Sequence, residues 1–75
     1  MSTYAVLLSS ATEAVNGPEL VCPERYHHAG DATSYGERMR REQGLEYEVM
    51  IRVGPIWRSV RGETAQEVIA RRWHT

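Results

Sequence analysis

The run Cys22-Pro23-Glu24-Arg25-Tyr26-His27-His28 gathers the only cysteine of the chain and two of its three histidines. These are the residue types of a zinc site, or of a thiol nucleophile with a histidine base. A structural zinc site asks for four Cys or His ligands, commonly as closely spaced pairs. One cysteine and two adjacent histidines are a partial set, and neighbouring side chains on an extended chain point to opposite sides. His74 or Glu24 would have to complete it, and nothing in their spacing does so. A Cys–His catalytic pair needs in addition an orienting group, an oxyanion hole and a cleft. A chain of 75 residues leaves little room for such a cleft. The two glycines of GDATSYG match neither the P-loop nor the dinucleotide spacing, and Asp31 is accounted for as a helix cap. The expectation is a half-buried Cys22 on an edge strand with solvated histidines beyond it. No catalytic residue, metal, cofactor or small-molecule substrate is expected.

The arginines offer a different chemistry. All nine basic residues are arginine and none is lysine, set against ten acidic residues for a net charge of −1. A general nucleic-acid binder draws its affinity from a surplus of positive charge, which this chain lacks. The absence of lysine and phenylalanine and the single asparagine fit a GC-rich coding bias as well as they fit selection for planar guanidinium contacts.

The elements that carry these residues follow from periodicity. Leu45, Tyr47, Val49, Ile51 and Val53 alternate with Glu46, Glu48, Met50 and Arg52, a period of two that predicts a strand. Gly54-Pro55 breaks it, and Ile56 to Arg61 resumes as a second strand. A two-residue loop sets Val53 opposite Ile56, Arg52 opposite Trp57, Ile51 opposite Arg58, Met50 opposite Ser59 and Glu48 opposite Arg61, whereas a loop one residue longer would put Trp57 in the core and Val60 outside. Burying Ile56 with Val60 puts the Val49, Ile51 and Val53 face inward and leaves Met50, Arg52, Trp57, Ser59 and Arg61 outside. Thr64 and Glu67 have capping-box spacing, and Ala65, Val68, Ile69 and Trp73 form one stripe of the helix that follows. Arg71, Arg72 and His74 fall in its last turn, where the helix dipole favours positive charge.

The first half reads as a looser copy. Tyr4 to Ser9 is an apolar strand, a loop of roughly nine residues follows, and ELVCPER is a second strand kept at an edge by Pro23. GDATSYGERMRREQG is a helix capped at Asp31 or Ser34 and stopped by Gly44, with Leu45 folding back on Met39. Gly36 in mid-helix marks a close approach between helix and sheet. The expected fold is α+β, a ββαββα pseudo-repeat in one domain over 1–75. Its four-stranded, mostly antiparallel sheet carries both helices on one face.

A sheet with both helices on one face leaves the other apolar and open. Met50, Arg52, Trp57, Ser59 and Arg61 are the partner-binding residues this predicts, since aromatic, Met and Arg side chains are the enriched set at interfaces. The partner is a protein or a second copy forming a homodimer. The alternative is nucleic-acid binding by the same hairpin with Arg38, Arg41, Arg52, Trp57 and Arg61, the indole stacking on bases. One cysteine, no leader-like N-terminal run and no long apolar stretch give the expectation of a cytoplasmic, non-membrane protein.

The run WRSVRGETAQEV resembles a feature of HicB-type antitoxins and of the arm-binding domains of phage integrases, which implies a ββα unit there. As a whole the chain is similar to small orphan proteins of actinobacteria and their phages, many of which act by binding a host or partner protein. That resemblance implies a docking role.

Overall fold

The computed structural model describes residues 2–73. The chain runs as strand β1 (Tyr4–Leu8), helix α1 (Glu13–Asn16), helix α2 (Ala29–Gln43), strand β2 (Tyr47–Val53), strand β3 (Ile56–Ser59) and helix α3 (Ala65–Arg72). It is a small α+β protein with a three-stranded antiparallel sheet in the order β1-β2-β3. The Cα radius of gyration, 11.3 Å, is what a compact chain of this length should have.

The second strand expected at ELVCPER does not form. Leu20 adopts a left-handed φ of 68°, and Pro23 has no N–H for a ladder. The segment still follows the outer edge of β1: Cys22 N–H donates to Val6 O (2.8 Å), and Tyr4 and Tyr26 exchange both backbone hydrogen bonds. The fourth strand is thus reduced to a broken edge. The connection before it contains the four-residue α1, capped by Thr12, whose hydroxyl accepts from Val15 N–H at 3.2 Å.

The hairpin forms in the expected register, with Val53 opposite Ile56, Arg52 opposite Trp57, Ile51 opposite Arg58 and Met50 opposite Ser59. Its buried face is the reverse of the expected one. Met50, Trp57 and Ser59 lie inside, while Val53 and Ile56 are exposed. The turn out of β3 decides this. The buried Ser59 hydroxyl donates to Glu63 Oε1 and accepts from the N–H groups of Arg61 and Glu63, each at 3.2 Å. Ser59 N–H donates to Glu63 O at 2.8 Å. This knot folds the chain back toward the Trp57 side, and α3 packs there on β3. The capping box of α3 is made in full by Thr64 and Glu67. Ala65 and Val68 are its buried stripe, with Ile69 and Trp73 packed beside them.

The two long helices therefore lie on opposite faces. Ala5, Leu7, Met50 and Trp57 form one core layer with Leu20, Val21, Ala65 and Val68. Val6 and Leu8 form the other with Cys22 and Ala32, ringed by Tyr35, Met39, Leu45, Tyr47 and Val49. The expectation of both helices on one face is corrected: each face of a three-stranded sheet this apolar needs cover, and each takes one helix. Helix α2 begins earlier than expected, with His28 at the N-cap, and Asp31 sits in its first turn, where a carboxylate favours the dipole. Ser34 donates to Gly30 O at 3.0 Å and caps nothing. Gly44 ends the helix in the left-handed region at φ 69°. Gly36 lies directly beneath the Tyr47 ring, where a Cβ would overlap ring atoms; this is the close approach anticipated for it. His74 lies outside the described residues.

Candidate functional site

Cys22 is buried, and its thiol lies beside the Tyr35 hydroxyl. Burial pushes this thiol above its ordinary pKa, and the Glu24 carboxylate adds to the effect. His27 and His28 are exposed. Among the described residues no three His, Cys, Asp or Glu side chains are grouped so as to hold a metal ion. Among the described residues no helix is long and apolar enough to cross a membrane.

Of the five residues expected at a partner surface, Met50, Trp57 and Ser59 are buried, and only Arg52 and Arg61 are exposed. Trp57, 4% exposed, is a hub of the α3-side core. Its indole Nε1 donates to Glu19 Oε2 at 3.0 Å. Arg25 and Arg52 lie over its ring at 4.8 and 5.7 Å from the centroid. The indole is therefore enclosed and offers no open face on which a base could stack. Arg38 and Arg41 are exposed on α2, with Arg38 lying 5.3 Å from the Tyr35 ring centroid.

Much of the positive charge is held internally. Arg71 grips Glu63 with two hydrogen bonds of 2.5 and 2.8 Å. This holds the Glu63 carboxyl below the usual carboxylate range, with the Ser59 hydroxyl contributing. Arg72 donates to Tyr47 O and to Glu48 Oε1. Arg40 lies 3.7 Å from Glu46, and Arg25 lies 3.8 Å from Glu19. The pairing of Glu48 with Arg61 expected across the hairpin is replaced by pairing with α3, because β3 ends at Ser59.

The accessible apolar surface lies on the other side of the hairpin. Helix α2 covers β1 and β2 on its own face, whereas on the opposite face α3 covers β3 and Leu20 and Val21 cover the rest. Among the described residues nothing lies over β3 on the α2 side. The result is an open groove of about 890 Å³. Its floor is Val49, Ile51 and Val53; one wall is Thr33, Glu37 and Arg40 of α2; Arg58 and Val60 mark the open side. Val60 is 87% and Val53 49% exposed. Arg58 donates to Gly62 O at 2.7 Å, and among the described residues no carboxylate lies within ion-pair distance of it. By contrast, the carboxylates lining the groove all have partners: Glu37 accepts from the Tyr47 hydroxyl, and Glu46 and Glu48 pair with Arg40 and Arg72.

Sequence reasoning missed this surface because it placed Ile51, Val53 and Val60 in the core. One signal was available. The stretch 49–62 contains Arg52, Arg58 and Arg61 and no acidic residue. Of these, Arg58 lines the groove, whereas Arg52 lies over the Trp57 ring on the other face. No protein-family model, curated protein or solved structure matches this chain.

Proposed function

We propose that this protein is a non-catalytic binding module that docks a partner protein on the part of its sheet left bare between α2 and β3. The observation that carries this is the groove itself. A three-stranded sheet has two faces to cover, and the described residues leave a strip of one face bare, with aliphatic side chains in water where an apolar cover is needed. The groove is as large as a ligand pocket, but it is open along the β3 side, which suits a covering element better than an enclosed small molecule.

A foreign protein fits better than a second copy. Antiparallel self-pairing of β3 would set Arg58 against Arg58 or place Pro55, which lacks an N–H, in the ladder. Stacking two grooves face to face would likewise bring Arg58 of each copy into a shared apolar layer. Nucleic-acid binding is weakened by the enclosure of Trp57 and by the tying of Arg25, Arg40, Arg71 and Arg72 to carboxylates.

The test is a photo-crosslinking amino acid placed at Val60, and separately at the exposed Gln66 of α3, in the cells that naturally make the protein. A defined protein adduct from position 60, absent from position 66 and lost in an Arg58→Glu background, supports the reading. Adducts of equal pattern at both positions, or none from position 60, would overturn it. A self-adduct from position 60 would replace the foreign partner with a homodimer.

A further inference from the structure

We infer that the partner element this groove takes is an amphipathic helix whose flank carries carboxylates, laid beside α2 with its apolar stripe on Ile51 and Val53 and an acidic residue against Arg58. The inference rests on the docking reading above and names the partner's chemistry.

Three observations carry it. The first is charge. Arg58 shares the α2 face with Ile51, its cross-strand neighbour, and every carboxylate that lines the groove is already engaged by this chain's own donors. No acidic residue occurs in the sequence between Glu48 and Glu63, so the hairpin brings no carboxylate of its own to Arg58. An incoming carboxylate meets a guanidinium whose only hydrogen bond among the described residues is to the Gly62 carbonyl. An incoming ammonium would meet Arg58 over an aliphatic floor, where like charges are costly.

The second observation is the state of the β3 edge. A partner strand would have to pair with a four-residue strand. Pro55 precedes it, and the Ser59 N–H at its far end is spent on Glu63 O. Short length, proline and an arginine on the strand are the devices that blunt an edge. Main-chain augmentation is therefore a poor way to occupy this side.

The third is the shape of the gap. Helix α2 lies over β1 and β2, so the uncovered strip starts at its flank, where Thr33, Glu37 and Arg40 recur at helical spacing and form a wall. A second helix packed against that wall would complete a two-helix layer, as helix-on-sheet architectures do. Its apolar residues at i, i+3, i+4 and i+7 would supply the stripe that Val49, Ile51 and Val53 lack.

Two synthetic helical peptides test this against the full chain, followed by amide shifts in ¹⁵N-correlated spectra. Both carry leucine at i, i+3, i+4 and i+7; one has glutamates and the other lysines on the flanking positions. The glutamate peptide is expected to shift Ile51, Val53, Arg58, Val60 and Thr33, and to bind at least about tenfold more tightly than the lysine peptide. Arg58→Met should remove that preference while leaving the free protein's spectrum in place, and Arg58→Glu should invert it. Equal response to both peptides, shifts confined to other surfaces, or a stronger response at these residues to a duplex DNA oligonucleotide would overturn the inference. If the crosslink from position 60 forms while both peptides fail, a docking surface stands and the acidic helix does not.

Discussion

The indole of Trp57 and the carboxylate of Glu19 meet at 3.0 Å across 38 residues of sequence. This hydrogen bond links β3 to the segment that follows α1, and Arg25 closes the arrangement by lying over the indole and beside Glu19. Leu20 and Val21, the neighbours of Glu19, are then held on the α3-side core. A segment that has no strand of its own is held by the Trp57 indole together with its backbone hydrogen bonds to β1.

Trp57→Ala is accordingly expected to cost about 3–5 kcal/mol. That is a large share of a total on the order of 5–10 kcal/mol for a domain this small. Trp57→Phe keeps much of the volume but leaves Glu19 without its donor, and should cost less than the alanine change. Urea denaturation of both variants measures the difference. An alanine variant as stable as the parent would show that the indole is not the hub described above.

Gly36 and Gly30 both lie in α2, and alanine should act on them in opposite directions. At Gly36 the new Cβ meets the Tyr47 ring, and that overlap should outweigh the gain of ~1 kcal/mol in helix propensity, leaving a net loss of about 1–3 kcal/mol. At Gly30 nothing lies within 4 Å, so alanine should be neutral or stabilising by up to about 1 kcal/mol. Thermal unfolding of the two single variants decides it, and Tyr47→Leu should relieve part of the Gly36→Ala penalty.

The features that were legible in the sequence are the ones written in local pattern. The alternation from Tyr47 to Val53, the break at Gly54-Pro55, the Thr64–Glu67 capping box and the stop at Gly44 all recur in the fold. The strand expected at ELVCPER failed because a left-handed Leu20 and Pro23 interrupt it, and only the proline was visible beforehand. The candidate surface was misassigned for a physical reason. Both faces of the hairpin are apolar, Ile51 and Val53 on one and Met50 and Trp57 on the other, so periodicity located the strands but could not rank the faces. The ranking came from the Ser59–Glu63 turn and the Arg71 clamp on it, polar contacts that no hydrophobic pattern records. Arg52 and Arg61 are exposed, as expected for them.

The clamp on Glu63 predicts an acid limb in stability. Arg71 holds the Glu63 carboxyl below the usual range, and in the unfolded chain that carboxyl returns to its ordinary value. Between the two values the unfolded state binds more protons, so stability rises with pH there. The contribution is complete above the ordinary carboxylate range and is lost as the pH falls through the lowered folded value. Glu63→Gln should flatten this limb and lower stability at neutral pH. Because the pair is partly exposed, added salt should narrow the difference. Urea titrations at a series of pH values measure it.

Cys22 should be slow to alkylate. Only the thiolate reacts, and burial together with the Glu24 carboxylate keeps this thiol protonated at neutral pH. Reaction with iodoacetamide in native buffer is expected to be far slower than in denaturant, and Tyr35→Phe, which removes the neighbouring hydroxyl, should not accelerate it. Rapid native modification would mean that the segment beside β1 opens readily.

The face assignment of the hairpin can be tested apart from any partner. Met50 and Val53 are three residues apart on one strand, but Met50 is fully buried in the α3-side core and Val53 stands at the edge of the groove. Met50→Ala should cost about 2–5 kcal/mol. Val53→Ser and Val60→Ser should stay within roughly 0.5 kcal/mol of the parent, as expected for exposed positions. If the hairpin instead buried Ile51, Val53 and Val60, the order of the costs would reverse. Chemical denaturation of the three variants therefore reads directly which side of this strand the protein keeps for itself and which it leaves open to a partner.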